Sequence, residues 1–162
     1  MAAPEQFILG EFRRRLDDRY RVAIPGELAE RLAPPGQECI LAKERSGCLS
    51  LWNAALWQSK LDQRVELIKQ KLGLGDLDRR IGQLQLFGRL LSTRHASVQL
   101  DKQARVLVPK EFREFLGAEP GDEVVVVGAA VCVEIWNPPA WLGYIQRRMP
   151  RFRKLCNRLS QS

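Results

Sequence analysis

Two stretches of this chain lie over one another without a gap: Leu16-Asp17-Asp18-Arg19-Tyr20-Arg21-Val22-Ala23-Ile24-Pro25 and Leu100-Asp101-Lys102-Gln103-Ala104-Arg105-Val106-Leu107-Val108-Pro109. The offset is 101 − 17 = 84 positions. Carried onward, it pairs Glu27 with Glu111, Glu30 with Glu114, Leu32 with Leu116, Cys48 with Cys132, Trp52 with Trp136, Asn53 with Asn137 and Trp57 with Trp141. Twelve of the 42 positions from Leu16 to Trp57 are identical, where composition alone would give about two or three. Like replaces like at Ile24 and Val108, Leu28 and Phe112, Ile40 and Val124, Leu51 and Ile135. The chain therefore carries one small unit twice.

Each unit reads the same way. A β run (Phe12 to Leu16, Ser97 to Leu100) enters a polar turn (Asp17 to Tyr20, Asp101 to Ala104). A short alternating strand leaves it and stops on Pro25 or Pro109. A helix over 26–32 or 110–116 follows, with Gly117 placed to end the second one. Two strands complete the unit: Glu38–Lys43 with Cys48–Trp52, and Glu123–Val127 with Cys132–Trp136, joined by hairpin turns over 44–47 and 128–131. About 45 residues cannot bury a good core alone, so two units should pair about a pseudo-two-fold axis.

Between the units, Asn53 is placed to cap a helix bearing Trp57, Leu61, Val65, Ile68 and Leu72, which Gly73 and Gly75 end. Asp76 or Asp78 opens a second helix bearing Leu77, Ile81, Leu84, Phe87 (or Gly88) and Leu91, which makes an αα-hairpin. After Trp136 a helix restarts with proline in its first turn. It leads to a basic tail of Arg147, Arg148, Arg151, Arg153, Lys154 and Arg158. The simplest reading of that tail is a frayed, solvated end; the other is a direct DNA contact. The expected divisions are a first domain over 9–54, a helical connector over 55–94, a second domain over 95–138, and a C-terminal helix and tail over 139–162.

Composition narrows the function. The net charge is +7, which favours polyanionic partners such as nucleic acid. No apolar run is long enough to span a membrane, and the first ten residues do not read as a signal peptide. Cys39, Cys48, Cys132 and Cys156 form no C-x-x-C pair, and His95 is the sole histidine, so no zinc site of usual spacing is present. The cysteines read as reduced thiols, those of the strands buried. No catalytic grouping, phosphate loop, metal cluster or cofactor motif appears.

The sharpest constellation is Asp-x-x-x-Arg: Asp17 with Arg21 and Asp101 with Arg105. Arg13, Arg14, Arg15 and Arg19 surround the first and Lys102 lies near the second. Arginine forks onto phosphate and can read guanine bidentately. The aspartate can orient it, or cap the turn's amides. The bland alternative is an ion pair within the turn, with no ligand. The two aspartates near a pseudo-axis also resemble an acid dyad, but an arginine beside each should keep both ionised.

Taken with the tryptophan-bearing strand ends, the helical hairpin and His95-Ala96 before the second unit, these motifs resemble the MraZ family over nearly the whole chain. The resemblance implies two SpoVT/AbrB-type units in an α+β, β-rich fold: swapped hairpins forming a double-psi-like β-barrel. It implies a cytoplasmic, nucleoid-associated transcription regulator, foremost a repressor, and not an enzyme. Such a regulator would assemble into rings and bind short direct repeats of double-stranded DNA upstream of its own division and cell-wall genes. Arg21 and Arg105 would read DNA, with Asp17 and Asp101 orienting them. An AbrB-fold interaction or scaffold module that has lost DNA binding is the alternative. The family's glycine before each motif arginine is here Tyr20 and Ala104, so either the turn geometry differs or a neighbouring residue absorbs the strain.

Overall fold

The computed structural model describes residues 7–72 and 77–161. The first unit contains β1 (Ile8–Arg15), β2 (Arg21–Ala23), α1 (Gly26–Leu32), β3 (Glu38–Arg45) and β4 (Cys48–Asn53). Helices α2 (Ala54–Leu72) and α3 (Leu77–Arg94) connect it to β5 (His95–Gln99), β6 (Arg105–Leu107), α4 (Lys110–Leu116), β7 (Glu123–Ala130) and β8 (Val133–Trp136). Helix α5 (Pro138–Arg148), a 3-10 turn over Met149–Arg151 and α6 (Phe152–Ser160) follow.

The unit's expected elements all form, with β1 starting earlier and β7 running on to Ala130. Asn53 and Asn137 show why asparagine recurs. The Asn53 Oδ1 accepts from the amides of Ala55 and Leu56 at 3.0 and 3.2 Å, while its Nδ2 donates to the Leu32 carbonyl. Asn137 likewise caps α5 and donates to the Gly117 carbonyl at 2.9 Å. Each side chain starts one helix and ties down the end of another. Gly117 closes α4 at φ 74°, the left-handed cap its position suggests. The glycines expected to end the first connector helix, and Asp76 as the cap of the next, lie outside the described residues.

Six strands form one antiparallel sheet in the order β1-β7-β8-β4-β3-β5, and β2 pairs with β6 in a separate two-stranded ribbon. The first strand of each unit is exchanged: β1 pairs with β7, and β5 pairs with β3. Val22 faces Val106 across the ribbon, and Ser50 faces Glu134 across the β4–β8 ladder. Both pairs are repeat equivalents, since 106 − 22 = 84 and 134 − 50 = 84. The pseudo-two-fold axis therefore passes between the members of each pair.

The expected closed barrel is not formed. β1 and β5 are the open edges of the six-stranded order. The chain leaves each edge through a tight turn, so the ribbon lies beside the sheet without laddering to it. Alternation sorts the two sheet faces. Leu49, Leu51, Val133 and Ile135 join the main core with Val22, Val106, Leu28, Leu32, Phe112 and Leu116, beneath the ribbon, α1 and α4. The other face carries Trp52 against Trp57, and Trp136 against Trp141 and Tyr144, beneath α2 and α5. Cys48 and Cys132 are buried there, and burial pushes both thiols up, Cys132 to about 12. Cys39 is also buried, whereas Cys156 is exposed. The C-terminal tail is helical and not frayed, because α6 places its apolar residues at helical spacing.

Candidate nucleic-acid interface

The two turns have the same geometry. The Asp17 Oδ1 accepts from the amides of Arg19 and Arg21 at 2.9 and 2.8 Å, and its Oδ2 accepts from Arg21 Nε at 2.7 Å. The Asp101 Oδ1 accepts from Gln103 and Arg105, both at 2.9 Å, and its Oδ2 from Arg105 Nε at 2.8 Å. A backbone bond between the aspartate amide and the arginine carbonyl, 3.0 Å in each, closes the loop. The aspartate thus both caps the turn and orients the arginine. Only Nε of each guanidinium is engaged, and its two terminal nitrogens have no acceptor among the described residues.

Electrostatics match this geometry. Partial desolvation pushes the Asp17 carboxyl up, but hydrogen bonds from the Arg21 backbone and guanidinium and the Arg19 amide outweigh it and hold it below the usual range. At Asp101 the Arg105 amide bond is the largest influence, again with a lowered result despite desolvation. Both carboxylates stay ionised, as an arginine neighbour predicts, and no shared-proton dyad forms.

Tyr20 and Ala104 hold the left-handed backbone a glycine would take, at φ 59° and 58°. The turn geometry is therefore retained and the strain absorbed. Two sets of contacts oppose that strain. The Ile24 amide donates to the Ala104 carbonyl at 2.8 Å, and the Val108 amide donates to the Tyr20 carbonyl at 2.9 Å, so each strained residue anchors the other unit. Tyr20 is held further by its hydroxyl on Glu119, 2.9 Å, and by the Arg113 guanidinium 3.8 Å above its ring.

The ribbon brings the motif arginines together. Val22 and Val106 point into the core, so Arg21, Ala23, Arg105 and Leu107 share the outward face. Arg21 faces Leu107 and Arg105 faces Ala23, a diagonal relation that places the two arginine backbones about 7–8 Å apart. Leu107, half exposed opposite Arg21, was not among the sequence candidates. Its signal was the alternation around Val106. Arg19 and Lys102 sit exposed at the turn tips.

Arg13, Arg14 and Arg15 do not share one face of β1. Arg13 pairs with Glu123 at 2.8 Å, and Arg15 donates to the Gly121 carbonyl at 2.9 Å on the exposed face of β1. Arg14 points to the opposite face, over the Phe12 ring. Strand alternation, invisible in a run of three arginines, separates them. His95 binds the Leu91 carbonyl at 2.6 Å beside the Trp57 ring, a structural position.

Comparison with known proteins gives this geometry a family. A family model described as "MraZ protein, putative antitoxin-like" matches residues 93–161. A Transcriptional regulator MraZ of Thermomicrobium roseum is 34% identical over 133 residues, 82% of this chain and 83% of that protein. The chain belongs to the MraZ family. Another MraZ relative, from Acetivibrio thermocellus, is 32% identical over 83% of this chain and 84% of its own length. The Heliobacterium modesticaldum MraZ is 28% identical over 93% of this chain and 95% of its own. MraZ proteins are named as transcriptional regulators and not as enzymes. No helix among the described residues is long and apolar enough to cross a membrane.

Proposed function

We propose that this protein is a DNA-binding transcription regulator that contacts double-stranded DNA through the Arg21 and Arg105 turns. The observation that carries this reading is the matched placement of two part-buried guanidinium groups on one ribbon face, each held by Nε with no acceptor for its terminal nitrogens among the described residues. That arrangement suits bidentate contacts to phosphate or to guanine in the major groove. Arg19 and Lys102 at the turn tips would add backbone contacts. The strand exchange supports a swapped-hairpin arrangement of two SpoVT/AbrB-type units. The family name and the net charge of +7 support a cytoplasmic, nucleoid-associated regulator acting on its own division and cell-wall cluster. A ring of such subunits would present many turn pairs to direct repeats, and linked sites would raise the effective concentration at each. The loss-of-binding alternative rested on the missing glycines, and the left-handed backbone of Tyr20 and Ala104 favours the DNA-binding reading over it.

A gel-shift titration on the DNA upstream of this protein's own gene tests the reading. The expected result is retardation that weakens steeply with salt and is stronger on several repeats than on one. Arg21→Ala with Arg105→Ala should weaken binding by about 100-fold or more, at about 1–3 kcal/mol per bidentate arginine. Unchanged affinity in the double variant would overturn the assignment of the reading residues, and no retardation even at low salt would overturn DNA binding itself.

A further inference from the structure

The 84-residue repeat extends into the helices. It superposes the α2 stripe Trp57, Leu61, Val65 and Ile68 on Trp141, Ile145, Met149 and Phe152. In the first unit that stripe faces α3: Trp57 and Leu61 share a cavity lining with Phe87 and Leu91, and Ile68 shares one with Leu84 and Phe87. In the second unit no α3 counterpart lies over the stripe among the described residues. Its outer half is accordingly bare. Met149 is 62% exposed and Phe152 61%, where Val65 and Ile68 are half-buried. Together with Tyr144, Ile145 and Leu155 they line a groove of about 600 Å³, within the range of sites that hold a ligand side-chain cluster.

The rim decides the chemistry of the occupant. Arg148, Arg151, Lys154 and Arg158 border the groove. From residue 135 to 162 the chain has six basic residues and no acidic one. We infer that the α5–α6 groove docks an amphipathic helix of a partner protein, apolar on one face and acidic on its flanks. The first unit supplies the shape, since a helix already fills the equivalent position there. The cationic rim supplies the sign of the charge. The α3 of a second copy fits poorly, because Arg80, Arg89 and Arg94 would meet the cationic rim.

The test uses the full chain and a fluorescein-labelled synthetic helix: the sequence of residues 77–94 with Arg79, Arg80, Arg89 and Arg94 each replaced by Glu. Fluorescence anisotropy should show saturable binding that weakens at least 10-fold in Met149→Ser with Phe152→Ser. It should fall by a similar factor in Arg148→Gln with Arg151→Gln and Arg158→Gln, and the peptide with its arginines kept should bind at least 10-fold more weakly. Met149 and Phe152 are exposed and uncharged, so circular dichroism and the DNA gel shift should be unaltered in the Met149→Ser with Phe152→Ser variant, which separates this inference from the proposed DNA reading. The arginine variant is read by circular dichroism and peptide binding alone. No peptide binding, or binding indifferent to the Met149 and Phe152 changes, would overturn it. Self-association in sedimentation velocity that those changes abolish, with no peptide bound, would assign the groove to a second copy and overturn it. Pelleting with phosphatidylglycerol vesicles that those changes abolish, again with no peptide bound, would assign it to lipid and overturn it.

Discussion

Tyr20 and Ala104 occupy the same strained backbone for different returns. A side chain in the left-handed region costs about 1–2 kcal/mol, while glycine there loses about 0.5–1 kcal/mol in unfolded-state entropy. Ala104→Gly should therefore stabilise slightly, by about 0.5 kcal/mol. Tyr20→Gly also gives up the Glu119 hydrogen bond and the Arg113 contact. Those are worth about 1–2 kcal/mol together, so it should destabilise by about 1 kcal/mol. Urea midpoints measure both, and equal signs would refute this account. The motif aspartates set an acid limit. Their folded pKa values lie below the unfolded one, so their contribution is full above about pH 4 and is lost as pH falls through the folded value. Asp17→Asn with Asp101→Asn should melt earlier than the parent at pH 7, and the gap should close on acidification towards pH 2. A gap constant with pH would show that the ion pairs contribute nothing.

Among the elements, β1 depends on one small residue opposite it. A Cβ on Gly128 would stand 2.5 Å from the Ile8 carbonyl oxygen and 2.7 Å from the Leu9 nitrogen. Both are backbone atoms of the first rungs of the β1–β7 ladder, so neither can swing aside as a side-chain end would. Gly128→Ala should cost about 1–3 kcal/mol and raise hydrogen exchange along Ile8 to Gly10. Gly26→Ala is the control: nothing lies within 4 Å of its Cβ, and helix propensity should make it neutral or stabilising by up to about 1 kcal/mol. The repeat equivalent of Gly128 is Glu44. It tolerates a side chain because β5 is shorter than β1 and its pairing with β3 ends at Ala42.

At the scale of the molecule, the exchange of β1 and β5 makes the repeats interdependent. The spans 9–54 and 95–138 read as separate domains, yet each completes its sheet with the other's first strand. Fragments 1–74 and 75–162 should each lack dispersed NMR spectra alone and regain them when mixed. A fragment that folds by itself would show that the exchange is optional. The same exchange places Val22 against Val106 on the axis and the motif arginines on either side of it, so DNA binding should reappear only in the mixture.

The sequence by itself determined the repeat, the bounds of α1 and α4, the Asn53 cap, and the pairing of each aspartate with the arginine four residues on. These are local matters of spacing, turn chemistry and proline or glycine stops, which neighbouring residues decide. Tertiary structure alone decided which strand pairs with which, because a short alternating run specifies a face and not a partner. It therefore decided that the sheet stays open, that Arg14 turns away from Arg13 and Arg15, and that Leu107 stands opposite Arg21 beside the two motif arginines. It also decided that Tyr20 and Ala104 keep a glycine's conformation: the hydrogen bonds that hold them come from the other unit, 84 residues away in the repeat.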